Sequence, residues 1–185
     1  MKIVLATPLY PPDIAPPAPY VKELAKRLAG SHQVALVTYG KLPEQVAGVS
    51  IIAVPKSSML PLRLLRYTFA LLKAARSADV VYAQNGASVE LPAALIALFT
   101  RRPLVVGLSD ESAHNRARRG GVLGSIERFA LGRAKTEVTN LPLERPEILP
   151  FGPKPEPQLQ AYEASWKEHV MQLESVFATV RQHGN

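Results

Sequence analysis

The chain contains no cysteine, which excludes disulfides, cysteine-ligated zinc and thiol nucleophiles and permits a reducing compartment. Aromatic residues are only 6% of the sequence, and none is interleaved with basic residues along a strand-like run. That disfavours a stacking platform for single strands, and no nucleic-acid partner is expected. No apolar stretch is long enough to span a bilayer, and Met1-Lys2 opens onto only a few apolar residues before Pro8, unlike a secretory leader. The pattern G-x-G-x-x-G is missing, and no acidic residue closes the second apolar run at Val37-Thr38-Tyr39. Both absences argue against an NAD-dependent enzyme. His32, His169 and His183 have no metal-ligand spacing, so no metal and no cofactor are expected.

What is present is a globular pattern. The 185 residues are 47% hydrophobic, enough for one domain with a sizeable core. An excess of 22 basic over 15 acidic residues gives a formal charge of +7, which favours a polyanionic partner. The runs KIVLATP (2–8), QVALVTYG (33–40), VSIIAVP (49–55), DVVYAQN (79–85) and PLVVGLS (103–109) are mostly continuous rather than alternating, as strands buried on both faces are. Helical periodicity covers 19–29, 61–76, 88–100 and 121–133. This alternation predicts an α/β fold: a single Rossmann-like, doubly wound parallel sheet with helices on both faces. Ligands of such sheets bind at the carboxyl ends of the strands, here after Pro8, Gly40, Asn85 and Ser109.

Beyond residue 135 the pattern weakens into a proline-rich stretch with one possible short strand around EVTNL. It then resumes as an amphipathic helix that closes the sheet. Ser165 and Glu168 have capping-box spacing, and Trp166, Val170, Leu173, Phe177 and Val180 make one apolar stripe. The stripe is expected to pack on the core rather than form a partner groove. The expected organisation is a domain over 1–153, a linker over 154–164 and a C-terminal helix over 165–183 that packs back on the same domain.

Several motifs, taken in order, resemble family 4 glycosyltransferases, which have the GT-B fold. Tyr10-Pro11-Pro12, the helix from Val21 to Leu28 and Ser31-His32-Gln33-Val34 are similar to that family's opening. DVVYAQNG (79–86), PLVVGLSD (103–110), IERFALGRA (126–134), ILPFGP (148–153) and SWKEHVMQLESVF (165–177) resemble its later strands, its hinge and its terminal crossover helix. The resemblance covers most of the chain and implies the N-terminal, acceptor-binding domain of a retaining hexosyltransferase. Three departures stand out. Only a short stretch lies where the donor domain would be inserted, no two glutamates have the donor domain's eight-residue spacing, and Ala15-Pro16 replaces the family's Gly-Gly. The chain is therefore expected to be catalytically incomplete alone, either a naturally split subunit or a chain from which the donor domain was removed. Retention of hinge and terminal helix favours removal. The implied partners are a sugar or lipid-linked acceptor and, only through a missing donor domain, a nucleotide sugar. The implied location is cytoplasmic, peripheral on the inner face of the membrane.

Candidate site residues follow from this frame. Asp110 and Glu111 follow the fifth strand, where a carboxylate can position an acceptor hydroxyl or take its proton. The resemblance implies no obligatory protein nucleophile, and Asp110 can equally be a helix N-cap. His114 shares that loop, and Arg116, Arg118 and Arg119 suit a diphosphate or simply a solvated surface. Asn85 and Gly86 end the fourth strand, either to meet a sugar hydroxyl or to make a turn. On the helix over 61–76, Leu64, Leu65, Leu71, Leu72 and Ala75 share one face. Leu62 and Phe69 lie among Arg63, Arg66, Lys73 and Arg76, which suits an anionic membrane surface or a helix packed on two sides. The alternative reading of the whole chain is a non-catalytic module anchoring a two-chain transferase to membrane or partner.

The first cleft loop is unusual. Pro11, Pro12, Pro16, Pro17 and Pro19 remove five amide donors, leaving Asp13, Ile14, Ala15 and Ala18 for a small anion contact. Asp13, Ile14, Ala15 and Pro16 are expected to form a rigid loop, either lid or plug, that cannot reproduce a glycine cradle for phosphate.

Overall fold

The computed structural model describes residues 1–15, 17–57, 59–139, 149–150 and 159–182. In chain order these form β1 (Lys2–Ala6), α1 (Pro17–Leu28), β2 (Gln33–Tyr39), β3 (Val49–Val54), α2 (Leu60–Ala75), β4 (Val80–Gln84) and α3 (Ala87–Thr100). They continue as β5 (Leu104–Leu108), α4 (Glu111–Arg118), α5 (Gly121–Arg133), β6 (Thr136–Thr139), β7 (Leu149–Pro150) and α6 (Leu159–Gln182). The strands make one sheet in the order β3-β2-β1-β4-β5-β6-β7, with parallel neighbours throughout. It is a Rossmann-like, doubly wound α/β fold, as the alternating pattern predicts.

The strands are apolar on both faces because helices cover both. Ile3 and Leu5 of β1 enter a core with Tyr82, Val105, α1 and α6. Val4 and Ala6 enter the opposite core with Val81, Ala83, Val106 and the helices α2 and α3. Every residue of β4 and β5 is buried. Gly107 of β5 has a steric reason: a Cβ there would overlap the Tyr82 hydroxyl and ring on the neighbouring strand.

Polar requirements of the backbone are met across elements. Pro92 sits inside α3 and has no N–H for the Ser88 carbonyl. The Tyr39 hydroxyl donates to that carbonyl instead, at 2.9 Å. Tyr39 in turn stacks on Tyr67 with ring centroids 4.4 Å apart, and the Tyr67 hydroxyl donates to Val37 O at 3.0 Å. Burial pushes the Tyr39 phenol up to about 12, so it remains a donor.

Helix α6 packs across α1 and β4. Its stripe behaves as core: Trp166, Leu173, Phe177 and Val180 are buried. Trp166 stacks on Tyr20, and Phe177 meets Tyr82 edge-on. The His169 Nε2 and the Tyr20 hydroxyl lie 2.8 Å apart, and burial drives the imidazole down to about 4, keeping it neutral. The helix begins at Leu159, not at Ser165, so 159–164 is helix and the expected capping box lies inside it. A tertiary contact extends it: Glu163 pairs with Arg27 of α1 at 2.8 Å, while Tyr162 packs edge-on against Trp166 one turn along the same helix. Residues 154–158 of the expected linker lie outside the described residues. Within the hinge-like ILPFGP, Leu149-Pro150 forms β7 beside β6, and the remainder lies outside the described residues.

Gly107→Ala should lower stability by about 1–3 kcal/mol in urea denaturation, the usual range for overpacking. The nearest atom to the added methyl is the Tyr82 hydroxyl. The double variant Gly107→Ala/Tyr82→Phe should therefore recover part of the loss.

Candidate functional site

The winding direction reverses between β1 and β4, so their carboxyl ends flank the crevice where ligands of such sheets bind. A buried polar network lines this edge. Thr7 follows β1 and donates from Oγ1 to Gln84 Oε1 at 2.5 Å. Gln84 Nε2 donates to Ser109 Oγ at 3.1 Å. Asn85 Oδ1 accepts from the amides of Ser109 (3.0 Å) and Asp110 (2.8 Å), and its Nδ2 donates to Asp110 O at 2.8 Å. Thr7, Gln84 and Asn85 are buried. Three strand ends, β1, β4 and β5, are thereby tied together by side chains.

Asp110 stands at the rim of this edge. Its Oδ1 accepts from Ala113 N at 3.0 Å and so N-caps α4, an eight-residue helix where only an arginine-rich loop is legible in the sequence. The cap uses one carboxylate oxygen, and no bond to the other is formed among the described residues. Glu111, Arg116, Arg118 and Arg119 are exposed on or after α4. His114 turns toward α5, with Nδ1 2.8 Å from Glu127 Oε1. Gly86 precedes α3 with φ 137°, a backbone setting that favours glycine, and packs on Pro8. Asn85 and Asp110 are thus brought together, but Asn85 is a structural clasp whose amide is already engaged on the Ser109-Asp110 backbone.

The proline loop is pinned from both sides. Tyr10 is buried and its hydroxyl donates to Glu44 O at 3.0 Å, while Glu44 pairs with Lys22. Asp13 pairs with Lys56 at 3.0 Å. Two amides expected to face an anion are spent internally: Asp13 N donates to Tyr10 O and Ala18 N to Ala15 O. Ile14 is 99% exposed at the tip, Ala15 is half-buried beside it, and Pro16 lies outside the described residues.

On α2, Leu62 (41%), Leu65 (52%) and Phe69 (63%) are exposed on the outer face, where Arg66, Lys73 and Arg76 are also exposed. Met59, 80% exposed, precedes them. Two expectations change. Leu65 belongs to this outer face rather than to the core side. Arg63 leaves it: its guanidinium lies 5.7 Å from the Tyr39 ring and donates to Lys56 O at 3.4 Å. The attraction of the cation for the ring face draws it back onto the protein.

The linear sequence did not point to the Thr7–Gln84–Ser109 network or to two buried carboxylates, Glu90 of α3 and Glu127 of α5. Glu90 had a visible signal: it is the only charged residue in the otherwise apolar SVELPAALIALF. Burial raises its carboxyl to about 7, opposed by a backbone hydrogen bond from Gly86 and reinforced by the charge of Glu127.

No protein-family model and no curated protein matches the chain. Solved structures do. Anabaena HepE (Alr3699), in complex with UDP and glucose, is 17% identical over 91% of this chain and 41% of that one, with a TM-score of 0.51. A Listeria monocytogenes protein assigned as a UDP-N-acetylglucosamine 2-epimerase is 13% identical over 90% and 42% of the two chains, with a TM-score of 0.52. These likenesses show the fold, and this chain spans about two fifths of each neighbour's length.

Asn85→Ala would leave partly buried amides at Ser109 and Asp110 without their acceptor. The expected cost is about 1–3 kcal/mol by urea denaturation, because two partly buried donors recover some hydration and each falls short of the roughly 1–3 kcal/mol of a fully buried one.

Proposed function

We propose that this unit is the acceptor-binding half of a retaining GT-B glycosyltransferase, acting on a sugar that is lipid-linked and presented at an anionic membrane surface. The observation that carries the reading is the outer face of α2, where Leu62, Leu65 and Phe69 are exposed beside Arg66, Lys73 and Arg76 on a helix that follows the carboxyl-edge loops. Basic residues would meet lipid phosphates while the apolar ones enter the interface. The contact in this reading is peripheral, on the cytoplasmic face; no described helix is long and apolar enough to cross a membrane. In this reading Asp110 positions the acceptor hydroxyl through the carboxylate oxygen its cap leaves open, and can assist removal of its proton. Glu111 contributes hydrogen bonds to the sugar, and Arg116, Arg118 and Arg119 meet the diphosphate of the carrier.

The nucleotide sugar would be held by a second Rossmann-like domain. Support comes from the proline loop, whose amides at Asp13 and Ala18 are already bonded within the loop. Titration calorimetry with UDP- and GDP-sugars should detect no micromolar binding to this chain; micromolar affinity would overturn the claim that donor recognition lies elsewhere.

In flotation, the chain should bind phosphatidylglycerol vesicles and not phosphatidylcholine vesicles. At about 1 kcal/mol per basic residue near the surface, Arg66→Glu/Lys73→Glu should weaken partitioning by at least about 30-fold. Equal binding to both vesicle types would remove the membrane part of the reading. A non-catalytic anchoring module is the second reading. It shares the α2 surface but predicts that Asp110→Asn leaves transfer by a reconstituted two-domain enzyme unchanged.

A further inference from the structure

The two faces of the sheet carry charge differently. On α1 and α6 acids and bases are mixed and pair with one another: Arg27 with Glu23 at 2.7 Å and with Glu163 at 2.8 Å, and Lys26 with Glu23 at 3.8 Å. The opposite layer, α2, α3 and α5, has no such balance. Its only acids, Glu90 and Glu127, are buried, and no acidic side chain is exposed on these three helices among the described residues. Glu111 is exposed on α4, at the carboxyl rim. The exposed charges of the layer are Arg66 and Lys73 of α2 and Arg128 and Arg133 of α5, with Arg76 and Arg101 at the C-terminal ends of α2 and α3.

The same layer is apolar on its outer side. Val89, Ala93 and Ile96 of α3 face the sheet. At about 100° per residue, Leu91, Leu95 and Leu98 fall on the opposite side of the helix, and none of the three is buried. A surface helix ordinarily turns charge outward there. Phe99, at the end of α3, is 79% exposed. On α5, Val122 is 75% exposed in the first turn, and Phe129 is half-buried with the Arg133 guanidinium 5.7 Å from its ring. These positions continue the stripe of Leu62, Leu65 and Phe69 on α2, because α3 packs against both α2 and α5. Arg102, after α3, also donates to Arg76 O at the end of α2, at 2.8 Å.

A surface that exposes apolar side chains among cations, with its acids withdrawn, complements one that is anionic at its phosphates and apolar beneath them. Two copies of this chain meeting through it would instead set Arg66, Lys73, Arg128 and Arg133 against charges of their own sign. We propose that the whole α2–α3–α5 face, rather than α2 alone, lies on an anionic bilayer, with the sheet parallel to the membrane plane. The carboxyl-edge crevice then opens sideways, about 10–12 Å above the surface, one helix diameter. An acceptor would reach Asp110 from the side, its sugar held off the surface by its head group. The orientation rests on the membrane reading above and adds which way the crevice faces.

The lack of native cysteine allows one probe per chain. Phe69→Cys on α2, Phe99→Cys on α3 and Val122→Cys on α5 sample the proposed face, and Met171→Cys on α6 samples the opposite one. All four side chains are exposed, so the fold should tolerate the changes. Each variant carries a nitrobenzoxadiazole label and is mixed with phosphatidylglycerol vesicles containing nitroxide-labelled lipid. Labels at 69, 99 and 122 should lose most of their emission, and the label at 171 should keep it. Arg128→Glu/Arg133→Glu should weaken partitioning by about 30-fold, as for the α2 pair. Quenching at 69 alone, with this α5 variant binding like the unmodified chain, would overturn the proposal and leave the α2 contact standing. Labels at 99 and 122 that shift to the blue without vesicles as protein concentration rises would overturn it in favour of contact between copies. Quenching at none of the sites would remove the membrane reading itself and this orientation with it.

Discussion

The central strands β1 and β4 are buried on both faces, and the arrangement of the carboxyl edge depends on that constraint. A strand sealed by helices cannot offer its terminal polar groups to water, so each must find a partner inside the protein. Here the partners are side chains of the residues that follow the strands. Thr7, Gln84, Asn85 and Ser109 satisfy one another and the amides of the β5 loop. The same bonds that satisfy the backbone also hold the rim on which Asp110 stands. Stability and the geometry of the candidate site are therefore one arrangement at this edge, with Asn85 common to both.

The two faces of the sheet are sealed in different ways. On one, α1 and α6 close an aromatic cluster of Tyr20, Tyr82, Trp166, His169 and Phe177, with Gly107 leaving room for the Tyr82 ring. His169 is buried within this cluster, and that burial keeps its imidazole neutral. On the other, α2 and α3 carry the core, but α3, α4 and α5 enclose two carboxyls. One face is closed by packed rings, and the other encloses two carboxyls within its apolar core.

Much of the fold was legible in the sequence. Continuous Val, Ile and Leu runs located five strands of the parallel sheet, and 3.6-residue periodicity located α1, α2, α3, α5 and the core stripe of α6. Where reading failed, a nonlocal partner was responsible. The arginine-rich segment after Asp110 has no apolar stripe, yet it is helical because Asp110 caps it and α5 supports it. Leu159–Ala164 carries no strong start signal, yet the pairing of Glu163 with Arg27 of α1 extends the helix there. The helical wheel of α2 placed Leu65 inward and Arg63 outward, because a wheel does not know where Tyr39 lies.

Sequence alone determined the class of fold, the positions of the strand ends that form the carboxyl edge and the scarcity of free amides in the first loop. Those properties follow from local chemistry: side-chain period, β-branching and the missing proline N–H. Tertiary structure decided which polar residues are spent and which remain. It committed Asn85 to the backbone that follows β5, gave Asp110 one capping oxygen, drew Arg63 onto Tyr39 and buried Glu90 within α3. The reason is range: burial and charge pairing depend on neighbours brought together from distant parts of the chain, and no local pattern encodes which neighbours those are.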